Sequence, residues 1–276
     1  MEFAEIIYEK QDRIATVTMN RPDRLNAFTP RMGAEMKTAM VDADRDPNVR
    51  AIIVTGAGRG YCAGAEISNL SSVARGGTRA TDAVGTPRTD DRWLDEHRAD
   101  YRGQFSWVLA LGKPVIAAIN GACVGLGLTK SLYYDIRIAS EKARLGLIFP
   151  QRGLAIEHGS SWMLPRIVGL TRAMEMALTG RLLDAQEALE IGLVTRVVPP
   201  DQVIPAARAI ATEIAAKCSP LGVAQARRLV YRHLFTDLGT AIREDDETMI
   251  RMLGSEDFKE GVSAFLEKRA PRWPGR

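Results

Sequence analysis

The chain reads as a mixed α/β body followed by a helical tail. β-Branched, apolar runs at residues 51–55 and 114–119 each end in a glycine-rich turn, at 56–67 and 120–127. Buried strand and glycine turn in that order, used twice, mark a repeated strand–turn–helix unit. Beyond Pro199, by contrast, every periodic segment has helical spacing and none alternates as a strand does.

With 276 residues, 46% of them hydrophobic, the chain is long enough for one large domain or a domain with an appendage. Its 37 basic and 34 acidic residues nearly balance, at a net charge of +3. That balance permits a phosphate-bearing ligand but argues against a dedicated nucleic-acid binder, which clusters its charge. The three cysteines, Cys62, Cys123 and Cys218, are too few and too scattered for a disulfide framework. His97, His158 and His233 have no zinc spacing, so no metal is expected. The acidic start Met1-Glu2-Phe3-Ala4-Glu5 is not a targeting peptide, and no apolar run approaches the roughly 18 residues of a membrane span. The expectation is a soluble, cytoplasmic protein with no membrane partner.

In chain order, residues 6–19 alternate apolar and polar around Lys10-Gln11-Asp12, which predicts a β-hairpin. Thr29 before Pro30 is an N-cap with proline at the first helical position, opening a helix to about Ala43. The first glycine turn lacks the third glycine of a dinucleotide fingerprint, Tyr61 standing there, and no Lys-Ser/Thr follows to make a P-loop. Residues 68–90, rich in Gly, Ser and Thr, read equally well as a mobile loop over a ligand or as a spacer. Residues 93–111 have helical spacing, 135–139 read as a strand, and 145–149 as a short extended piece. Further helices are expected at 162–168 and at 171–179, the latter stopped by Gly180, and from the capping box Asp184-Ala185-Gln186-Glu187 to Gly192. A strand follows at 194–198, then helices to the end, including 241–253 and 258–268. The second glycine turn, with helix-forming residues 128–134 behind it, suits a phosphate or a developing oxyanion, and equally a tight turn packed under a sheet.

Several stretches together resemble the enoyl-CoA hydratase/isomerase, or crotonase, superfamily. They are Asn20-Arg21-Pro22 with Leu25-Asn26-Ala27, Gly56-Ala57-Gly58 with Ala63-Gly64-Ala65-Glu66, residues 113–121, and Asp135-Ile136-Arg137-Ile138-Ala139-Ser140. Leu178-Thr179-Gly180, Gly192-Leu193-Val194 and Ala264-Phe265-Leu266-Glu267-Lys268-Arg269 complete the pattern across nearly the whole chain. The resemblance implies a spiral of repeated ββα units over residues 1–200. It also implies a C-terminal helical region, 201–276, that builds homotrimers, often paired into hexamers. The implied substrate is an acyl-CoA thioester, with no separate cofactor because CoA is part of the substrate. By position, the oxyanion amides would be those of Ala65 and Leu126, each worth about 3 kcal/mol to a developing enolate. Leu126 replaces a glycine usual at that place, and its side chain is expected to shape acyl selectivity. The CoA portion would lie against Arg24, Leu25, Ala63 and Ile67, with Phe265 and Lys268 reaching in from the tail, often from a neighbouring subunit. A solvated surface is the plainer reading of each basic residue taken alone.

The catalytic pattern departs from the family's. Hydratases of this superfamily use two glutamates, and those places hold Thr129 and Phe149, which are left as substrate-binding positions. Glu157 falls at a third position where relatives carry an acid. A carboxylate beside an acyl chain is partly desolvated, which raises its pKa toward a usable acid/base range. Glu157 is therefore the expected catalytic group. His158 is placed beside it, although neighbours on an extended segment point to opposite sides. One carboxylate suits a 1,3-proton shift better than hydration. Hydrolysis through an acyl-enzyme, or acyl-CoA binding without catalysis, are the alternatives.

Overall fold

The structure is a computed structural model that describes residues 1–66, 71, 74–76, 92–95 and 97–275. Ile67 and most of the 68–90 loop lie outside the described residues. Strands β1 (Ile6–Gln11) and β2 (Ile14–Met19) form the expected hairpin. Its turn is Asp12-Arg13, both with positive φ (54° and 64°), the conformation that matches the twist of paired strands. Helix α1 (Pro30–Arg45) starts where Thr29 accepts a hydrogen bond from the Met32 N–H at 3.0 Å.

The repeat takes a definite form from here. Strands β3 (Ala51–Gly56), β5 (Val115–Ile119) and β7 (Ile136–Ser140) each run into a short partner: β4 (Gly60–Cys62), β6 (Ala122–Val124) and β8 (Arg144–Gly146). The long strands join β1, β2 and β10 (Arg196–Val198) in a six-stranded sheet of order β1-β2-β3-β5-β7-β10, parallel from β2 onward. The short strands join β9 (Leu183–Asp184) in a second sheet of order β4-β6-β8-β9. Each unit thus gives its first strand to one sheet and its second to the other, so the chain winds as a spiral of ββα units. The glycine turns are the corners between sheets, where backbone packs against backbone.

The large sheet is buried on both faces, as parallel sheets are. Val17, Met19, Ile52, Val54, Val115 and Ala117 join the main core with Met32, Met36, Ala39 and Met40 of α1. The alternate residues Ile14, Ala51, Ile53, Ile116, Ala118 and Ile138 pack with Val203, Ala207 and Ala211. Those three lie four residues apart on one helix, so they share one face.

Helices α2 (Leu126–Ser131), α3 (Ser160–Val168), α4 (Leu170–Thr179) and α5 (Ala185–Glu190) fill the gaps between strands. Asp184 caps α5 by accepting from the Glu187 N–H. Beyond Pro199 come α6 (Val203–Lys217), α7 (Pro220–His233), α8 (Leu238–Leu253) and α9 (Glu256–Leu266). The helical region from 201 therefore begins as cover for the sheet. No described helix is long and apolar enough to cross a membrane.

Two local expectations are corrected. Residues 93–111 do not form one helix; their described parts are short 3₁₀ turns at Arg92–Leu94, Ala99–Arg102 and Ser106–Ala110. Gly103 is extended there, and the Ser106 hydroxyl donates to the Asp100 carbonyl and accepts from the Gly103 N–H. A side chain that captures backbone groups in this way competes with the helical ladder. The extended piece at 145–149 ends at Gly146, because Phe149 is already helical and opens the turn Pro150–Arg152.

Candidate active site

Gly64 and Gly125 are where the two glycine-rich segments meet. Both have positive φ, 104° and 54°. A Cβ on Gly64 would lie 3.1 Å from the Val124 carbonyl oxygen, and one on Gly125 would lie 3.7 Å from Gly64 Cα. Gly127 is tighter still: a Cβ there would come within 2.2 Å of the Cys62 carbonyl oxygen. Only glycine lets the corner after β4 close on the corner after β6. Ala65 follows the first glycine and Leu126 the second. Leu126 is the first residue of α2, so its N–H has no acceptor one turn back. The Ala65 N–H has no backbone acceptor among the described residues.

The segment around Arg24 is bound to the first corner. The Leu25 carbonyl accepts from the Ala63 N–H (3.0 Å), the Gly64 carbonyl from the Phe28 N–H (2.7 Å), and the Phe28 carbonyl from the Glu66 N–H (3.1 Å). Arg21 reinforces this with a 2.7 Å ion pair to Glu66. Arg24, Leu25, Ala63 and Ala65 are thereby brought together, with Arg24 exposed and Ala65 half-buried.

Asn26 and Asn120 hold the preceding turn, between β3 and β4, in place. Asn26, fully buried, donates through Nδ2 to the Ala57 (2.9 Å) and Gly60 (2.8 Å) carbonyls. Asn120 donates to the Gly56 (2.8 Å) and Gly58 (2.9 Å) carbonyls. An asparagine in each signature was the available signal, but which carbonyls it would reach depends on the fold. Asn26→Ala removes the donor to the Ala57 and Gly60 carbonyls and the acceptor of the Arg21 N–H. We expect it to lower stability by about 1–3 kcal/mol, read as the shift of a urea midpoint, and to loosen the Ala63–Ala65 backbone.

Glu157 and His158 precede α3. His158 and Gly159 both have positive φ (50° and 74°), so the strand-like alternation expected for neighbours fails. The two side chains face each other instead, with His158 Nε2 3.5 Å from Glu157 Oε2, an approach that is not a hydrogen bond. The Tyr133 hydroxyl donates to the His158 carbonyl at 2.6 Å, tying this loop to the turn that follows α2. Burial raises the Glu157 carboxyl above the ordinary carboxylate range and lowers the His158 imidazole below its usual value. His158 also stands edge-on to Phe105 (centroids 5.4 Å, 75°) and borders a cavity of about 480 Å³.

The remaining expected residues fall elsewhere. Thr129 is fully buried, and its Oγ1 has no hydrogen-bond partner among the described residues. Phe149 is buried in the main core. Leu126 is 1% exposed and its side chain belongs to that core; it does not border the 480 Å³ cavity. Phe265 is 83% exposed and borders a different cavity, formed by α7, α8 and α9. Lys268 is exposed beside it. Within one chain neither is joined to the Arg24–Ala63 corner. Among the described residues no group of three His, Cys, Asp or Glu side chains could hold a metal ion.

The enoyl-CoA hydratase/isomerase family model matches residues 9–276. The 1,2-epoxyphenylacetyl-CoA isomerase of Escherichia coli (strain K12) is 34% identical over 277 aligned positions, covering 100% of each chain. The short-chain-enoyl-CoA hydratase of Clostridium acetobutylicum is 34% identical over 98% of this chain and 97% of its own. Among solved structures, the enoyl-CoA hydratase of Bacillus anthracis superposes with a TM-score of 0.86 at 31% identity, over 99% of this chain and 100% of that one.

Proposed function

Because this chain belongs to the enoyl-CoA hydratase/isomerase family, we propose that it processes acyl-CoA thioesters by a proton shift through an enolate, with Glu157 as the acid/base. The carrying observation is the Glu157 carboxylate, half-buried against His158 and raised in pKa by that burial. It stands where neither Thr129 nor Phe149 can transfer a proton. In a 3-enoyl thioester, Glu157 removes a proton from C2. The electron pair moves into the C1–C2 bond and the carbonyl π pair onto oxygen. The Ala65 and Leu126 amides stabilise that oxyanion, at about 3 kcal/mol each. Return of the proton to C4 shifts the double bond to C2–C3, and nothing is consumed. Hydration needs a positioned water, which one glutamate could still manage, but Thr129 and Phe149 cannot transfer a proton as a carboxylate does. The Escherichia coli relative is itself named an isomerase.

In this reading the CoA portion lies along Arg24, Leu25, Ala63 and Ile67. Phe265 and Lys268 come from a neighbouring copy of a trimer, or of a hexamer formed by two trimers. Exposed apolar side chains on the C-terminal helices, including Leu238, Ile250, Phe265 and Leu266, support that assembly. The proposed setting is the cytoplasm, on the sparse, unpaired cysteines.

The test offers the full-length protein 3-hexenoyl-, 2-hexenoyl- and hexanoyl-CoA. Conversion of the 3-enoyl to the 2-enoyl thioester, faster than any hydration, is expected. Release of free CoA from hexanoyl-CoA as the dominant reaction would instead identify a hydrolase. Tight binding of all three with no turnover would identify an acyl-CoA-binding protein.

A further inference from the structure

We infer that the cavity beside His158 selects acyl groups that carry a ring over straight-chain acyl groups. This rests on the acyl-CoA reading above. The cavity, about 480 Å³, is bordered by Phe105, Leu109, Tyr133, His158, Trp162 and Phe235. His158, on its border, stands 3.5 Å from Glu157, so a group held there lies next to the proposed acid/base. An apolar cavity of roughly 150 Å³ accommodates benzene, so this one has room for a ring and the methylenes that tether it.

Its walls are flat and already fixed. Trp162 and Phe235 stack on each other at 4.6 Å with 13° between planes. The Arg166 guanidinium lies 3.6 Å over Trp162, and that of Arg98 lies 4.0 Å over Phe235. Phe105 is held edge-on between His158 and Phe28, with centroids 5.4 and 5.5 Å away. Fixed aromatic walls favour a ligand that is itself rigid. A ring has few torsions to lose and meets this wall at its edges, since the faces of Trp162 and Phe235 are covered by each other and by the two guanidiniums. An alkyl chain of equal size gives up several rotors to lie against the same surface. One well-placed ring pair corresponds to about a two- to tenfold difference in affinity.

Isothermal titration with 4-phenylbutanoyl-CoA and decanoyl-CoA tests this, with free CoA as reference. The two acyl groups have the same number of carbons, and neither carries the double bond that turnover requires. Transfer from water alone favours decanoyl, which exposes more apolar surface. We expect the phenyl thioester to bind at least about fivefold more tightly, and the preference to fall to near parity in Trp162→Leu, checked by thermal melting to be folded. Phe235→Leu gives the same readout should the first variant not fold. Equal or tighter binding of decanoyl-CoA, with both thioesters binding better than free CoA, overturns the ring inference and leaves the acyl-CoA reading standing. Failure of both thioesters to bind better than CoA overturns that reading and the inference with it. An undiminished phenyl preference in both folded variants overturns the assignment to this wall.

Discussion

Replacing Glu157 with glutamine will lower turnover of a 3-enoyl-CoA by about 10²- to 10⁴-fold, the range ascribed to a positioned general acid/base. Thioester affinity will stay within roughly threefold, because glutamine keeps the shape and loses only the ability to exchange the proton. The pH dependence follows from the environment. Burial raises the Glu157 carboxyl above its ordinary value, and the proton-abstracting form is the carboxylate. kcat/KM for the wild type therefore rises with pH through an apparent pKa above the usual glutamate value of about 4.3. That limb disappears in the variant. Burial lowers the His158 imidazole, so it is neutral around pH 7 and offers Glu157 no full positive charge. Stability moves in the opposite sense. A carboxyl whose folded pKa is raised favours the fold at low pH and loses that contribution as pH rises through the folded value. The glutamine variant should thus melt at the same temperature as wild type, or higher, at neutral pH. A variant that keeps full activity would remove Glu157 from the mechanism. One that loses activity together with its melting transition would point to a structural role.

The strand–corner repeat could be read from local sequence because its signals are local, whereas the spiral it builds was implied by the family resemblance. β-Branched runs ending in glycine set the strand–corner repeat, and Thr29 and Asp184 cap the helices that their side chains predict. What was not legible depends on contacts made across the fold. Helical spacing at 93–111 is genuine, yet the Ser106 hydroxyl captures backbone groups that a helix would need. Strand alternation separates Glu157 from His158, and it fails because the Tyr133 hydroxyl holds a loop that turns left-handed at His158. Leu126 stood out as a departure from glycine, but position alone could not say that its side chain joins the core while its amide stays free. Asn26 and Asn120 were visible as letters and opaque in role, since the carbonyls they bind belong to a corner distant in sequence. The aromatic cavity draws on Phe105, Tyr133, Trp162 and Phe235, which no local pattern relates.

The largest loss of stability is expected from Arg227→Met. Arg227 lies on α7, is 7% exposed, and reaches into the body of the fold. Its Nε donates to both Asp135 carboxylate oxygens at 3.0 Å. Nη1 donates to the Leu109 and Leu111 carbonyls, and Nη2 to that of Val108 at 2.9 Å. Asp135 also accepts from the Tyr231 hydroxyl (2.7 Å) and the Val115 N–H (2.6 Å), which places it at the junction of β5, β7 and α7. Methionine fills much of the same volume but leaves a carboxylate without its cation, the buried Leu109 and Leu111 carbonyls without a donor, and the Val108 carbonyl with only the Leu111 N–H. Breaking such a pair from one side costs about 3–5 kcal/mol, which exceeds the loss expected for Asn26→Ala. A urea or guanidinium midpoint, taken at fixed protein concentration because association shifts it, gives the measure. The deficit should persist at high salt, since a buried pair is screened little. The exposed pair Lys217–Glu213, 3.0 Å apart, provides the contrast, and Lys217→Ala should change little. The same network carries a functional consequence. Residues 108–111 include Leu109, which borders the aromatic cavity with Phe105. Where Arg227→Met still folds, it should therefore weaken binding of ring-bearing thioesters more than that of free CoA. An equal loss for both ligands would mean that Arg227 supports the fold without shaping the cavity.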